Sequence, residues 1–109
     1  MRYTEFDIPR LSSQVNISFT IQAKKDIQNQ LFAQATQSEA LQLSQDIVPQ
    51  SLVSKLKSIT RSYLNKTSRN AVNVYAVAIA AGTIIKELDN GNTRHVTNSA
   101  IANLMNEIA

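Results

Sequence analysis

The stretch AVNVYAVAIAAGTIIKEL, residues 71–88, decides the fold. Ala71, Val72, Val74, Tyr75, Val77, Ile79, Ile84, Ile85 and Leu88, with alanines between them, put apolar side chains on nearly every side of a helix. A helix without a polar face must be surrounded. Ala76, Ala78, Ala80, Ala81 and Gly82 are small enough for neighbouring helices to approach closely, which predicts the central helix of a bundle. The apolar run from Ala71 to Ile85, about 15 residues with Asn73, Gly82 and Thr83 inside it, falls short of the ~20 residues that cross a bilayer, so the expectation is a buried core helix and no membrane. Asp89-Asn90-Gly91-Asn92 follows, with Asn90 or Gly91 suited to a left-handed cap.

Upstream, Asn65 to Asn70 is a polar break in which Thr67 or Ser68 can cap the next helix. Before it, Val48-Pro49 breaks one helix and suits the first turn of another, because proline has no N–H to lose there. From Pro49 to Lys66, Leu52, Leu56, Ile59 and Tyr63 fall within about 60° of one another at helical spacing and form a core stripe. Ser54, Ser58 and Ser62 line the opposite side at i, i+4, with Lys55, Lys57, Arg61 and Lys66 along its edges and Arg69 in the turn beyond. Small hydroxyls framed by long cations allow a phosphate backbone to come close while Lys and Arg reach around it. The same row serves equally well as a solvated face.

Charge distribution supports the first reading more than net charge does. The chain of 109 residues carries 11 Lys and Arg against 8 Asp and Glu, a mild +3. Val48 to Lys86 holds six cations and no acid, so the remainder holds five cations and eight acids. A one-signed segment on an otherwise acidic body is the pattern of phosphate recognition, in which each neutralised phosphate releases counterions.

Residues 1–15 show no sustained period and read as an extended arm, leaving 16–109 as the helical domain. Val15, Ile17, Phe19 and Ile21 alternate with polar residues as a strand does, yet also thread on a helix. With no partner strand in view, the expectation is a short extended lead-in to a helix from near Thr20. Its apolar face would hold Ala23, Ile27, Leu31, Phe32 and Ala35. Thr36-Gln37-Ser38-Glu39 is a capping box that starts a new helix running to about Asp46. At the other end Thr97 caps a last helix whose Ile101, Leu104, Met105 and Ile108 form a docking stripe. Four or five helices joined by short connections predict an all-α, antiparallel, single-domain bundle. Two glycines and two prolines in the whole chain agree with helices rather than a turn-rich β fold.

Little in the chain suits catalysis. With no cysteine there is no disulfide, thiolate metal site or Cys nucleophile, and a cytoplasmic location fits. His95 is the sole histidine; beside Arg94 in a connection it reads as a phosphate contact before a general base. Neither a glycine-rich phosphate loop, a paired-histidine motif nor a Gly-flanked serine is present. A non-enzymatic protein needing no cofactor and no metal is expected. A helix-turn-helix over Lys55–Ala71 is disfavoured, because the helix after the break lacks the polar face a recognition helix offers to DNA.

The C-terminal segment from Ile85 to Asn92, followed by Val96 to Ile108, resembles the end of the helical small subunits of CRISPR interference complexes. In that family a helix ending in a polar turn precedes a last helix with a Thr-Thr-Ser-x-Ile-Arg-like start. The sequence departs from the pattern at Asn98 and at Ala102, where the family tends to carry a basic residue. The resemblance covers about 24 residues, largely capping and stripe positions. It implies an all-α, non-catalytic protein that stacks along guide RNA and target strand beside other subunits.

The expected function is therefore backbone contact with RNA or single-stranded DNA through Lys55, Lys57, Ser58, Arg61, Ser62, Lys66, Arg69 and Arg94. Other protein subunits of a complex, copies of this chain among them, are the expected partners beside the nucleic acid, and the alternative is a protein–protein adaptor or structural helical bundle, viral-structural or antitoxin-like, that binds no nucleic acid.

Overall fold

The computed structural model describes residues 2–89 and 96–109, and among them every regular element is helical. A 3-10 turn at Glu5–Asp7 leads into α1 (Ile8–Ser12), α2 (Ile17–Gln34), α3 (Gln37–Ser44), α4 (Gln50–Asn65), α5 (Ala71–Leu88) and α6 (Asn98–Ile108). The all-α bundle read from the sequence is the fold, with α2 to α6 as its five main helices.

Four helix starts, those of α2, α3, α5 and α6, are set by side-chain caps. Asn16 accepts the Phe19 N–H at 3.1 Å, Asn70 the Asn73 N–H at 2.8 Å, and Thr97 the Ala100 N–H at 3.2 Å. Thr36 and Glu39 close the capping box in both directions, at 3.1 and 2.8 Å. Pro49, extended at ψ 141°, precedes the first residue of α4. Helix α3 ends earlier than its apolar pattern suggested. Ile47 N–H donates to Gln42 O at 2.8 Å and Asp46 N–H to Leu43 O at 3.1 Å, with Asp46 left-handed at φ 66°, a Schellman turn.

Helix α5 is the centre, packed against α1, α2, α4 and α6. It is long and apolar enough by composition to cross a membrane, and half of it is buried inside the bundle. Val77 and Ala78 are fully enclosed with Ile27 and Leu31 of α2, Leu52, Leu56 and Leu64 of α4, and Met105 of α6. Burying each such large side chain contributes about 1.5–3 kcal/mol. Gly82 belongs to the close-approach set for a visible reason. A methyl there would sit 3.3 Å from a Val96 methyl and 3.5 Å from Leu104, so its absence lets the chain before α6 lie against α5. The buried Thr60 hydroxyl donates to Leu56 O at 2.7 Å and leaves no polar cost in the core.

Three local expectations are corrected. Residues 1–15 are not an extended arm: residues 5–12 coil into short helices, and Tyr3, Ile8 and Leu11 join the main core. Ile8 and Leu11 lie three apart on one turn, a stripe too short to register as periodicity. The arm is also clipped to α6, since Tyr3 N–H donates to Asn106 Oδ1 at 2.7 Å and Asn106 Nδ2 returns to Tyr3 O at 2.9 Å. Next, the alternating Val15–Ile21 segment is helical from Ile17, because Asn16 supplies a cap where Thr20 had been expected to begin the helix. Finally, Phe32 is half exposed, not core. It lies about 100° around α2 from Leu31, beyond the edge of the buried stripe.

Candidate functional site

The polar side of α4 keeps the layout read from its sequence, with Ser54, Ser58, Arg61 and Ser62 exposed and Lys55 and Lys57 partly covered. What changes is the company the cations keep. Lys55 Nζ donates to Glu39 Oε1 at 2.6 Å and to Gln34 O, the last turn of α2, at 3.1 Å. Glu39 is itself nearly enclosed: its Oε1 also accepts the Thr36 N–H and its Oε2 accepts the Ser51 hydroxyl at 2.7 Å. The Lys55 ammonium first, then the Thr36 N–H and the Ser51 hydroxyl, hold the Glu39 carboxyl down from 4.5 to about 2. One lysine thus fastens the end of α2, the start of α3 and the first half of α4.

The other cations converge on the end of α6. Lys57 Nζ lies 2.9 Å from Glu107 Oε2. Arg61 reaches Glu107 O through Nε at 3.1 Å and Nη2 at 2.9 Å. Arg69 spans two elements, donating to Asn65 Oδ1 at 2.8 and 2.5 Å and to Ala109 O at 2.9 Å. A helix C-terminus presents unsatisfied carbonyls and the negative end of its dipole, so cations gathered there are stabilising. Lys55, Lys57, Arg61 and Arg69 therefore act as clamps between helices.

Of the sequence-predicted site, Lys66 stands apart. It is exposed at the end of α4, and although its backbone N–H donates to Tyr63 O at 3.1 Å, its ammonium has no hydrogen bond or ion pair among the described residues. Ser58 and Ser62 precede it at i, i+4 spacing and are exposed as well. These three form the part of the predicted interface that is both accessible and uncommitted. Arg94 and His95 lie outside the described residues.

Aromatic placement bears on base stacking. Tyr63 leans inward, its ring 6.5 Å from Phe19 at a 49° tilt, and burial followed by the nearby Asp26 charge pushes its hydroxyl pKa upward. Phe6 and Phe32 are the exposed aromatic rings. Neither lies on α4.

Two further surfaces were not foreseen. A groove of about 500 Å³ runs between α4, α5 and α6, walled by Val53, Ile85, Val96 and Leu104 with Lys86 and the Lys57–Glu107 pair at its rim. The flank of α2 exposes Ile17, Ile21 and Phe32 at 70%, 63% and 50%. In sequence Ile17 and Ile21 belonged to the strand-like alternation and Phe32 to the core stripe, so only their common angle on one helix could have revealed the strip. Among the described residues no group of three His, Cys, Asp or Glu side chains is placed to hold a metal.

No protein-family model matches the chain, and no curated protein and no solved structure is similar to it. None of these comparisons links it to CRISPR complexes.

Proposed function

We propose that this protein is a non-catalytic helical interaction module that works through protein–protein contacts. The observation that carries the reading is the inversion of surface roles. Four cations of the basic segment hold helices together, while Ile17, Ile21 and Phe32 stand exposed on one helix. Exposed apolar side chains that share a face mark contact surfaces more specifically than isolated ones do. A cysteine-free chain suits the cytoplasm, where this reading puts it. The test is purification from the native source in about 1 M NaCl, at which exposed charge contacts are screened beyond about 3 Å. A stoichiometric protein complex, or a self-assembled species, that survives this wash and is lost in Ile21→Glu supports the reading. A protein that remains single and unassociated overturns it.

A second reading is favoured by the free Lys66 with Ser58 and Ser62, and by the resemblance of the last helix: binding to RNA or single-stranded DNA backbone within a ribonucleoprotein. Such binding weakens steeply with salt. Natively purified protein would then show a raised 260/280 nm absorbance ratio that a high-salt wash lowers, and Lys66→Glu would weaken binding while leaving the fold intact. Lys57→Glu and Arg61→Glu are poorer probes, because both side chains also hold α6 in place.

A further inference from the structure

We propose that the Ile17–Ile21–Phe32 flank of α2 is the contact surface of a parallel homodimer whose two-fold axis runs along α2. The inference rests on the protein–protein reading above and names the partner as a second copy of this chain. At 100° per residue the three side chains fall within about 60° of one another and span about 22 Å of helix, with the partly buried Gln28 in the same window and Lys24 at its edge between Ile21 and Phe32. The strip is bounded at mid-height by unlike charges. On one side α5 contributes Glu87, held against α2 by Lys24 Nζ at 2.5 Å and Gln28 Nε2 at 3.4 Å. On the other side stands Lys25, exposed and without an ion pair among the described residues.

That arrangement is self-complementary in only one of the two ways a pair of helices can face each other across a two-fold axis. An axis parallel to α2 exchanges left and right flanks while keeping height. Ile17, Ile21 and Phe32 then each meet their own equivalents, and the Lys25 of each copy arrives beside the Lys24–Glu87 pair of the other, where the half-exposed Glu87 carboxylate takes a second cation, twice over. An axis perpendicular to α2 keeps the flanks on the same side and sets Lys25 against Lys25, a like-charge contact at the centre. Charge complementarity thus selects the parallel arrangement. Three large apolar side chains furnish less than the roughly 800 Å² per partner of a standard stable interface, so a reversible dimer with micromolar dissociation is the form expected.

Sedimentation velocity over about 1–500 µM protein tests this, with circular dichroism confirming that each variant is folded. The wild type should pass from monomer to dimer across that range, and Ile21→Glu should remain monomeric. Lys25→Glu and Glu87→Lys, each alone, should weaken the dimer about tenfold, since each places like charges at both contacts. Mixed in equal amounts they should recover near-wild-type association as a heterodimer, because both contacts then pair opposite charges. A folded wild type that stays monomeric at the highest concentration overturns self-association, and leaves salt-resistant binding to a different protein as a separate result. A dimer that the mixture fails to rescue, or that Ile21→Glu does not disrupt, overturns the surface and its register.

Discussion

The exposed sides of α4 and α2 make opposite use of similar materials. On α4 a row of cations that looks available along the chain is tied down in three dimensions: Lys55 to Glu39, Lys57 to Glu107, Arg61 and Arg69 to the last carbonyls of α6. On α2 apolar residues that look destined for a core stay outside, beside a Lys25 that has no ion pair among the described residues. A run of one sign in sequence is therefore a weak guide to surface potential in a small bundle, because acids and helix ends from distant segments come to meet it. An apolar residue just past the edge of a buried stripe is a better guide to unfinished business at the surface.

The two sides of α2 itself offer the sharpest way to break this contrast. Ile27 is fully buried and Ile21 exposed, about one and two-thirds turns apart. Ile27→Ala should cost about 2–5 kcal/mol in urea unfolding, whereas Ile21→Ala, measured at a dilution that keeps the protein monomeric, should stay within about 0.5 kcal/mol. Equal costs would mean that the strip is part of the monomer's own packing.

Glu39 offers the next test, of how tightly α4 is bound to its neighbours. A carboxyl held at about 2 when folded and near 4.5 when unfolded contributes stability that is fully present above about pH 4.5 and is lost as pH falls toward 2. Thermal midpoints followed from pH 7 to pH 2 should fall through that window in the wild type. Glu39→Gln should flatten the fall and lower the midpoint at pH 7. An unchanged acid profile would show that Lys55 is not committed to this carboxylate in solution.

Smaller effects are expected at the far end of α4. Removing the paired donors to Glu107 O with Arg61→Ala should cost about 1 kcal/mol and speed amide exchange in the last turn of α6, a response hydrogen-exchange mass spectrometry reads directly. Lys66→Ala should change unfolding by less than about 0.5 kcal/mol, since the Lys66 side chain has no polar partner among the described residues. If Arg61→Ala is as silent as Lys66→Ala, the clamp on α6 carries no weight and the basic face of α4 is as free as its sequence implied.

The amino-acid sequence by itself determined the helices. The all-apolar stretch 71–88, the Thr36–Glu39 box, the Thr97 cap and the stripe of α4 are local patterns, fixed by hydrogen bonds and side-chain spacing within one or two turns, and they stand in the structure where they were read. Near misses arose where two polar residues competed for one role, as when Asn70 rather than Thr67 or Ser68 caps α5. Only the tertiary structure decided which charges are paired and which apolar side chains are left over. The carboxylate partner of Lys55 and the carbonyl partner of Arg61 lie 16 and 46 residues away, and Arg69, besides its local bonds to Asn65, reaches a carbonyl 40 away. Electrostatic and packing choices of this kind depend on distance through space, which a helical repeat does not encode.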